Sequence, residues 1–294
     1  MISEQVLLGL EQQVEQALRS GVQENLDILG YGEISTVLNL RMSSGRFACK
    51  RLPLFESQRQ IERYKECFEL YIEKLTERGV NLAKSSLEVV KRDDDKFVGY
   101  CIQPALSLDF LATEILARTP EKKAQELFSS LVTVVTQAIE EDKLGLDAQL
   151  SNWAFIDDKV VYFDVTTPMI RDEEGKELLD LDIFLASLPW AIRGIVRKWM
   201  LKDILDHYYF VRNVLLDLLA NLYKERLDRF LPGFITIVNQ EIAQPLTLPE
   251  VKQYYRSDAR DWALLQRLRK MDRFWQRYIR RRVYPFILPG RIKR

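Results

Sequence analysis

The sequence predicts an α+β chain of two lobes, the first a five-stranded antiparallel sheet with one long helix and the second mostly helical. Three observations predict it. Short β-like runs crowd the chain up to Gln103, one long helical stretch interrupts them, and helical periodicity dominates beyond Pro120. Strands followed by helices mark a segregated α+β layout and not alternating βα units. With 294 residues, 47% apolar and 29% charged, the chain can bury the core of an ordinary globular protein.

The elements follow in order. SEQVLLGLEQQVEQAL is an amphipathic helix whose internal charges exclude a secretory signal, and Gly21 ends it. Strands are expected at Leu26 to Gly30, Ser35 to Leu40 and Arg46 to Leu52, the last two joined by a Ser43-Ser44-Gly45 turn. A helix is expected from about Glu56 to Arg78, with Tyr64, Phe68, Tyr71, Ile72 and Leu75 in one stripe and Gly79 as its stop. Ser86 to Lys91 and Phe97 to Gln103 complete the sheet. Pro120 suits the first position of a helix reaching about Asp142, with Leu127, Phe128, Leu131, Val135 and Ala138 on one face. Two small strands, Trp153 to Ile156 and Val160 to Phe163, precede a mostly helical remainder broken at Pro245, Pro249, Pro285 and Pro289. The expected division is an N-terminal helix at 1–22, a first lobe at 23–104, a helical lobe at 105–250 and a basic helical extension at 251–294 packed on that lobe.

Charge and cysteine usage narrow the function classes. Lysine plus arginine and aspartate plus glutamate number 43 each, so global charge points to no polyanionic partner. Residues 251–294 nevertheless carry 14 basic and 3 acidic side chains. Three cysteines make no disulfide framework, and a reduced, cytoplasmic setting is expected. No run approaches ~18 uncharged apolar residues, so no transmembrane segment is expected. The one histidine, His207, argues against a His-based metal site or a Ser-His triad.

Four elements carry chemistry. In LGYGEISTV, Gly30, Gly32 and Ser35 hold the spacing of a glycine-rich phosphate loop, where glycines let backbone N–H groups approach phosphate. A β-like run follows, which disfavours a dinucleotide-binding βα unit. In Phe47-Ala48-Cys49-Lys50, alternation sets small Ala48 and cationic Lys50 on one face, room for a flat base beside a reach to phosphate. GLDAQLSNW places Asp147 and Asn152 five residues apart after the long helix, and Asp164 follows at the end of a strand. Phosphoryl transfer needs a carboxylate to orient the acceptor and oxygen ligands for magnesium.

In this order and spacing the chain resembles a divergent member of the protein-kinase-like superfamily, nearer to its aminoglycoside- and choline-kinase-type branches than to typical Ser/Thr kinases. The motifs span residues 24–170. The resemblance implies a two-lobed fold, ATP and Mg2+ as cofactors, and a phosphate loop around Gly30, Gly32 and Ser35. It implies Lys50 on the α/β-phosphates, Asp147 as catalytic base, and Asn152 and Asp164 as magnesium ligands. A helix glutamate would pair with Lys50: Glu69 is preferred, with Glu62, Glu66 and Glu73 as alternatives. Ile102 would be the gatekeeper, and the Gln103 carbonyl and Ala105 amide would meet adenine, since Pro104 has no N–H.

The departures matter. Gly145-Leu146-Asp147 lacks the arginine that reads a phosphorylated activation loop, and Val165-Thr166 follows Asp164 in place of Phe-Gly. The expected function is an ATP/Mg-dependent phosphotransferase on an unknown, small-molecule or protein, hydroxyl or amine acceptor. A pseudokinase-type nucleotide-binding or scaffolding protein is the alternative from another class. An atypical protein kinase and an AMP-transferring enzyme also stay open. The acidic stretch after Asp164 offers Asp172, Glu173, Asp180 and Asp182 to a cationic acceptor, or is merely a solvated loop. At 259–282, Leu264, Leu268, Met271, Trp275 and Tyr278 recur at helical steps among Arg267, Arg269, Lys270, Arg273, Arg277 and Arg280 to Arg282. That helix would pack its stripe on the second lobe, or carry a contact to an anionic surface through 259–294.

Overall fold

The computed structural model of the protein describes residues 2–32, 35–186, 188–197 and 201–288. Helix α1 (Glu4–Ser20) leads into β1 (Ile28–Tyr31), β2 (Thr36–Met42) and β3 (Gly45–Phe55). Next come α2 (Gln58–Glu77), the two-residue β4 (Asn81–Leu82), β5 (Ser86–Lys91) and β6 (Phe97–Pro104). Strands β1, β2, β3, β6 and β5 form one antiparallel sheet in that spatial order. This is the five-stranded sheet with one long helix that the sequence predicts.

The sheet buries both faces. On the outer one, Leu38, Cys49, Val90, Val98, Tyr100 and Ile102 pack under Leu7, Leu10, Val14 and Ala17 of α1. Glu11 lies in that apolar contact and is saturated with donors. Arg51 grips it through Nε and Nη2, both at 2.7 Å, while Arg92 Nη1 donates at 3.0 Å and Tyr100 Oη at 2.7 Å. Such paired, planar donation is what makes a buried charge tolerable. On the inner face, α2 turns Ile61, Tyr64, Cys67, Phe68, Tyr71 and Leu75 inward. Its start is capped by Ser57 Oγ, which accepts from the Gln60 amide at 3.3 Å, and Gly79, at φ +82°, lets the chain turn away.

The second lobe is helical around a small sheet. It contains α3 (Ala112–Arg118), α4 (Glu121–Ala138), β7 (Trp153–Ile156) and β8 (Lys159–Tyr162). The short helices α5 (Asp182–Leu185), α6 (Trp190–Ile195) and α7 (Leu201–Asp206) precede α8 (Val211–Lys224), α9 (Leu231–Glu241) and α10 (Leu248–Phe274). Phe128 of α4 stacks on Phe234 of α9 with ring centroids 3.8 Å apart. Strand β4, unexpected from sequence, pairs parallel to β8 and so fastens the segment after α2 to the second lobe. Helix α4 stops at Ala138 and not near Asp142, because Glu140 and Leu144 pair across a turn in which Asp142 takes φ +62°.

Helix α10 departs from expectation. Its buried residues are Val251, Arg269 and Asp272, whereas Leu264, Met271, Trp275 and Tyr278 of the predicted packing stripe are exposed. It lies along α8, and a π-helical turn (Trp275–Ile279) then carries the chain to α1, where Arg277 Nη2 donates to the Arg19 carbonyl at 3.1 Å. Ile287 packs with α1 against the outer sheet face. Pro289 and the rest of 289–294 lie outside the described residues.

Removing the Glu11 carboxylate strands the buried Arg51 guanidinium, while half-buried Arg92 keeps Glu15 and Asp94. Glu11→Ala is expected to cost about 3–5 kcal/mol in urea unfolding. Removing the exposed Arg41 guanidinium that faces Asp27 should cost under about 1 kcal/mol. Burial pushes the Glu11 carboxyl up, but Arg51, Tyr100 and Arg92 hold it below its ordinary value. Its contribution is therefore full above the unfolded-state glutamate pKa and is lost as pH falls through the lower folded value. A wild-type acid unfolding transition no steeper than that of Glu11→Gln would contradict this account.

Candidate functional site

The register of β3 against β6 builds one wall of the cleft. Ala48 pairs with Gln103 and Lys50 with Cys101, so all four side chains share the face turned toward the second lobe. Lys50 Nζ donates to Asp164 Oδ1 at 2.7 Å, joining residues 114 positions apart. Thr166 Oγ1 donates to the same oxygen at 3.0 Å. Burial pushes the Asp164 carboxyl up, yet the Lys50 ammonium and the Thr166 donors hold it below the usual carboxylate range. It is an anion at neutral pH.

The opposite wall is a loop held by its backbone. Gly145 N donates to the Met169 carbonyl at 2.9 Å and Leu146 N to that of Tyr208 at 3.1 Å. A Cβ on Gly145 would stand 2.8 Å from the Tyr208 oxygen, so only glycine fits where the chain passes. Asp147 Oδ1 accepts from the Gln149 amide at 3.1 Å. Asn152 Nδ2 donates to the Asp147 carbonyl at 3.2 Å, which leaves the carboxamide oxygen as the atom it can offer a cation. The Phe163 amide donates to the Asn152 carbonyl at 3.1 Å, so the loop holding Asp147 and Asn152 is tied to the residue before Asp164. Gln103 Nε2 donates to the Phe163 carbonyl at 2.7 Å and to Ser85 Oγ at 2.9 Å, binding β6 to the same point.

The glycine hairpin lies along the neighbouring strand, where Gly30 pairs with Val37 and Val37 with Lys50. Gly32 donates its amide to the Ser35 carbonyl at 3.0 Å, and a Cβ there would come within 2.4 Å of Ser35 Oγ. Gly30 faces open space, and at Gly32 the one close atom is the rotatable Ser35 hydroxyl, so packing demands glycine at neither position. Residues 33 and 34, the middle of this loop, lie outside the described residues.

Several expectations are corrected. Glu69, Glu62, Glu66 and Glu73 all lie on the exposed side of α2, and Glu69 stands 3.9 Å from Lys65. The inward face belongs to the apolar stripe, so Asp164 and no helix glutamate pairs with Lys50. The Ala105 amide donates to the Arg46 carbonyl at 2.9 Å and is already spent within the protein. Ile102 packs under α1 on the outer face, and Cys101 is the residue opposite Lys50 in the cleft. Burial pushes the Cys101 thiol up to about 12, so it is no thiolate nucleophile. The acidic stretch is largely self-satisfied. Asp172 accepts from the Glu174 and Lys176 amides, Glu173 pairs with Lys143, Asp180 accepts from Gln60, and Asp182 pairs with Arg197.

Two residues with structural work at the site escaped the sequence reading. Tyr64 Oη donates to the Thr166 carbonyl at 2.8 Å and Tyr71 Oη to the Gly145 carbonyl at 3.0 Å. Both belong to the apolar stripe that the sequence predicts for α2. The available signal was their hydroxyls, which must find partners when a tyrosine is fully buried. Among the described residues no three His, Cys, Asp or Glu side chains converge on a cation site. The Asp164 carboxylate and the Asn152 carboxamide carry hard oxygen donors of the kind that would suit magnesium. A hollow of about 300 Å³ lies elsewhere, between α1 and the β1–β2 hairpin, so cavity volume alone would not single out this cleft. Among the described residues no helix is long and apolar enough to cross a membrane.

Strand order, the single long helix on the inner sheet face and the helical second lobe define a two-lobed, protein-kinase-like fold. The chain belongs to DUF6206, a family of unknown function, whose model matches residues 9–273. No curated protein matches it. Among solved structures it is similar to WaaP in complex with acyl carrier protein, at 13% identity and a TM-score of 0.41, covering 86% of this chain and 91% of that one. It is also similar to the PknI kinase domain of Mycobacterium tuberculosis, at 13% identity and a TM-score of 0.33, covering 82% and 84%.

Tyr71→Phe leaves the buried Gly145 carbonyl without its donor and should cost about 1–2 kcal/mol in urea unfolding. Glu69→Ala should stay within about 0.5 kcal/mol. Lys50→Met leaves Asp164 charged and unpaired at neutral pH, so its destabilisation should shrink as acid protonates that carboxylate. Equal costs for Tyr71→Phe and Glu69→Ala would reverse the assignment of the inward face.

Proposed function

We propose that this chain is an ATP- and magnesium-dependent phosphotransferase acting on a hydroxyl or amine of a small molecule, in the manner of the aminoglycoside- and choline-kinase-type branches its motifs resemble. The observation that supports this most is the Lys50–Asp164 ion pair at 2.7 Å between the lobes. A cation on the sheet and a carboxylate on the second lobe are poised to exchange each other for phosphate and metal.

In this reading Lys50 would turn its ammonium from Asp164 to the α/β-phosphate oxygens, and the Asp164 carboxylate and Asn152 carboxamide oxygen would be the residues to hold magnesium. Magnesium, when bound, neutralises charge developing on the phosphates. Asp147 orients the acceptor and takes its proton. The acceptor atom bonds to the γ-phosphorus as the bond to the β–γ bridging oxygen breaks, and that electron pair leaves with ADP. The Ala105 amide is unavailable to adenine while it serves Arg46.

A second reading, a nucleotide-binding or scaffolding protein without turnover, is favoured by two observations. Every α2 glutamate considered faces away from Lys50, and the Ala105 amide is engaged. Thermal unfolding with ATP, with and without magnesium, separates the readings. Saturation at a hundredfold over Kd should add about 2.7 kcal/mol in wild type, with the magnesium-dependent part absent in Asp164→Ala. No shift under any condition would sink the enzyme proposal. A magnesium-dependent shift without ADP release, against a panel of amino-alcohol and sugar acceptors, would favour the second reading.

A further inference from the structure

The outward face of α10 and its π-helical turn has the character of a membrane-interface surface. Leu264, Met271, Phe274, Trp275, Tyr278 and Ile279 are all exposed, Met271 and Tyr278 to 67% and 68%. At 3.6 residues per turn most of them fall within one arc of roughly 140°. The inward face is the polar one, with Arg269 and Asp272 buried. An amphipathic helix normally does the reverse, and a contiguous apolar ridge left in water marks a contact surface. Arg277 and Ile287 tie the end of this segment to α1, so the ridge is presented on a fixed support.

Charge identifies the occupant. Residues 264–283 carry eight basic side chains, and their one carboxylate, Asp272, is buried. Among the described residues no carboxylate pairs with Arg267, Lys270, Arg281 or Arg282, all of which are exposed. A second copy would bring like charges together. Nucleic acid would meet the cations but give the methionine, leucine and isoleucine no apolar phase. An anionic bilayer meets both needs, with phosphates for the arginines and the acyl boundary for the apolar side chains. Trp275 and Tyr278 are of the amphipathic type that settles at that depth.

We propose that this ridge seats the protein on an anionic phospholipid surface. The proposal is independent of what the cleft does. Its test is co-sedimentation of the full chain with phosphatidylcholine vesicles and with vesicles of phosphatidylcholine and phosphatidylglycerol at about seven to three. Wild type should sediment with the mixed vesicles at least tenfold better than with the neutral ones, and the preference should fall with added salt. The combined changes Met271→Ser, Trp275→Ser and Tyr278→Ser should abolish it without shifting Tm. Arg267→Gln with Lys270→Gln should weaken it by about fivefold per charge removed. Equal sedimentation with both vesicles, or none with either, would overturn the proposal. So would a wild-type dimer in sedimentation velocity that the same serine changes dissociate, which would make a second copy the occupant.

Discussion

The ion pair between Lys50 and Asp164 is the constraint on which the two lobes agree. Neither charge is placed cheaply. Lys50 sits mid-strand in a sheet covered on both faces, and Asp164 follows a strand packed into the second lobe. Each pays for leaving water, and the pairing offsets that only if the geometry is held. The holding is distributed. The β3–β6 register sets Lys50, the Phe163-to-Asn152 hydrogen bond sets the approach to Asp164, and Gln103 bridges the two walls.

The same strand serves a second charge system on its other face. Cys49 and Arg51 point under α1 while Ala48 and Lys50 point into the cleft, so adjacent cations on β3 answer to different carboxylates, Glu11 and Asp164. A one-residue slip of β3 would set Leu52 against Glu11 or Cys49 against Asp164, leaving one anion unmatched in either direction. The register of the sheet is thus fixed twice over, by apolar alternation and by two ion pairs of opposite facing. Helix α1 takes part in that specification, since it carries Glu11 and half of the outer core.

What was legible in the sequence followed from periodicity and from the order of motifs. Strand alternation set Ala48 and Lys50 on one face, and the helical stripe correctly placed Tyr64, Phe68, Tyr71 and Leu75 inward. That stripe already conflicted with Glu69, which precedes Tyr71 by two positions and so stands about 200° around the helix from it. The expected partner came from the resemblance, and geometry excluded it. Strand β6 is buried on both faces, so its apolar pattern does not say which of Cys101 and Ile102 meets the cleft. On α10 the apolar stripe was visible, but which side faces the protein is decided by neighbours far away in sequence, so Arg269 rather than Leu264 went inward.

The absence of a glutamate on Lys50 changes how α2 can behave. A helix held by a carboxylate–lysine pair shares its anchor with the nucleotide site, so its position responds to the charge there. Here the anchors are two tyrosine hydroxyls on the backbone carbonyls of Gly145 and Thr166, one in each loop of the site. Burial pushes both phenols well above their ordinary pKa, so they remain neutral donors across any accessible pH. Swinging α2 outward would break both hydrogen bonds and open the stripe that packs beneath it, with no compensating ion pair to gain. Apart from Gln60 on the Asp180 carboxylate and Arg78 on the Gln137 and Ile139 carbonyls at its two ends, the helix is fixed to the second lobe by neutral contacts, and Lys50 is left to answer to Asp164 alone.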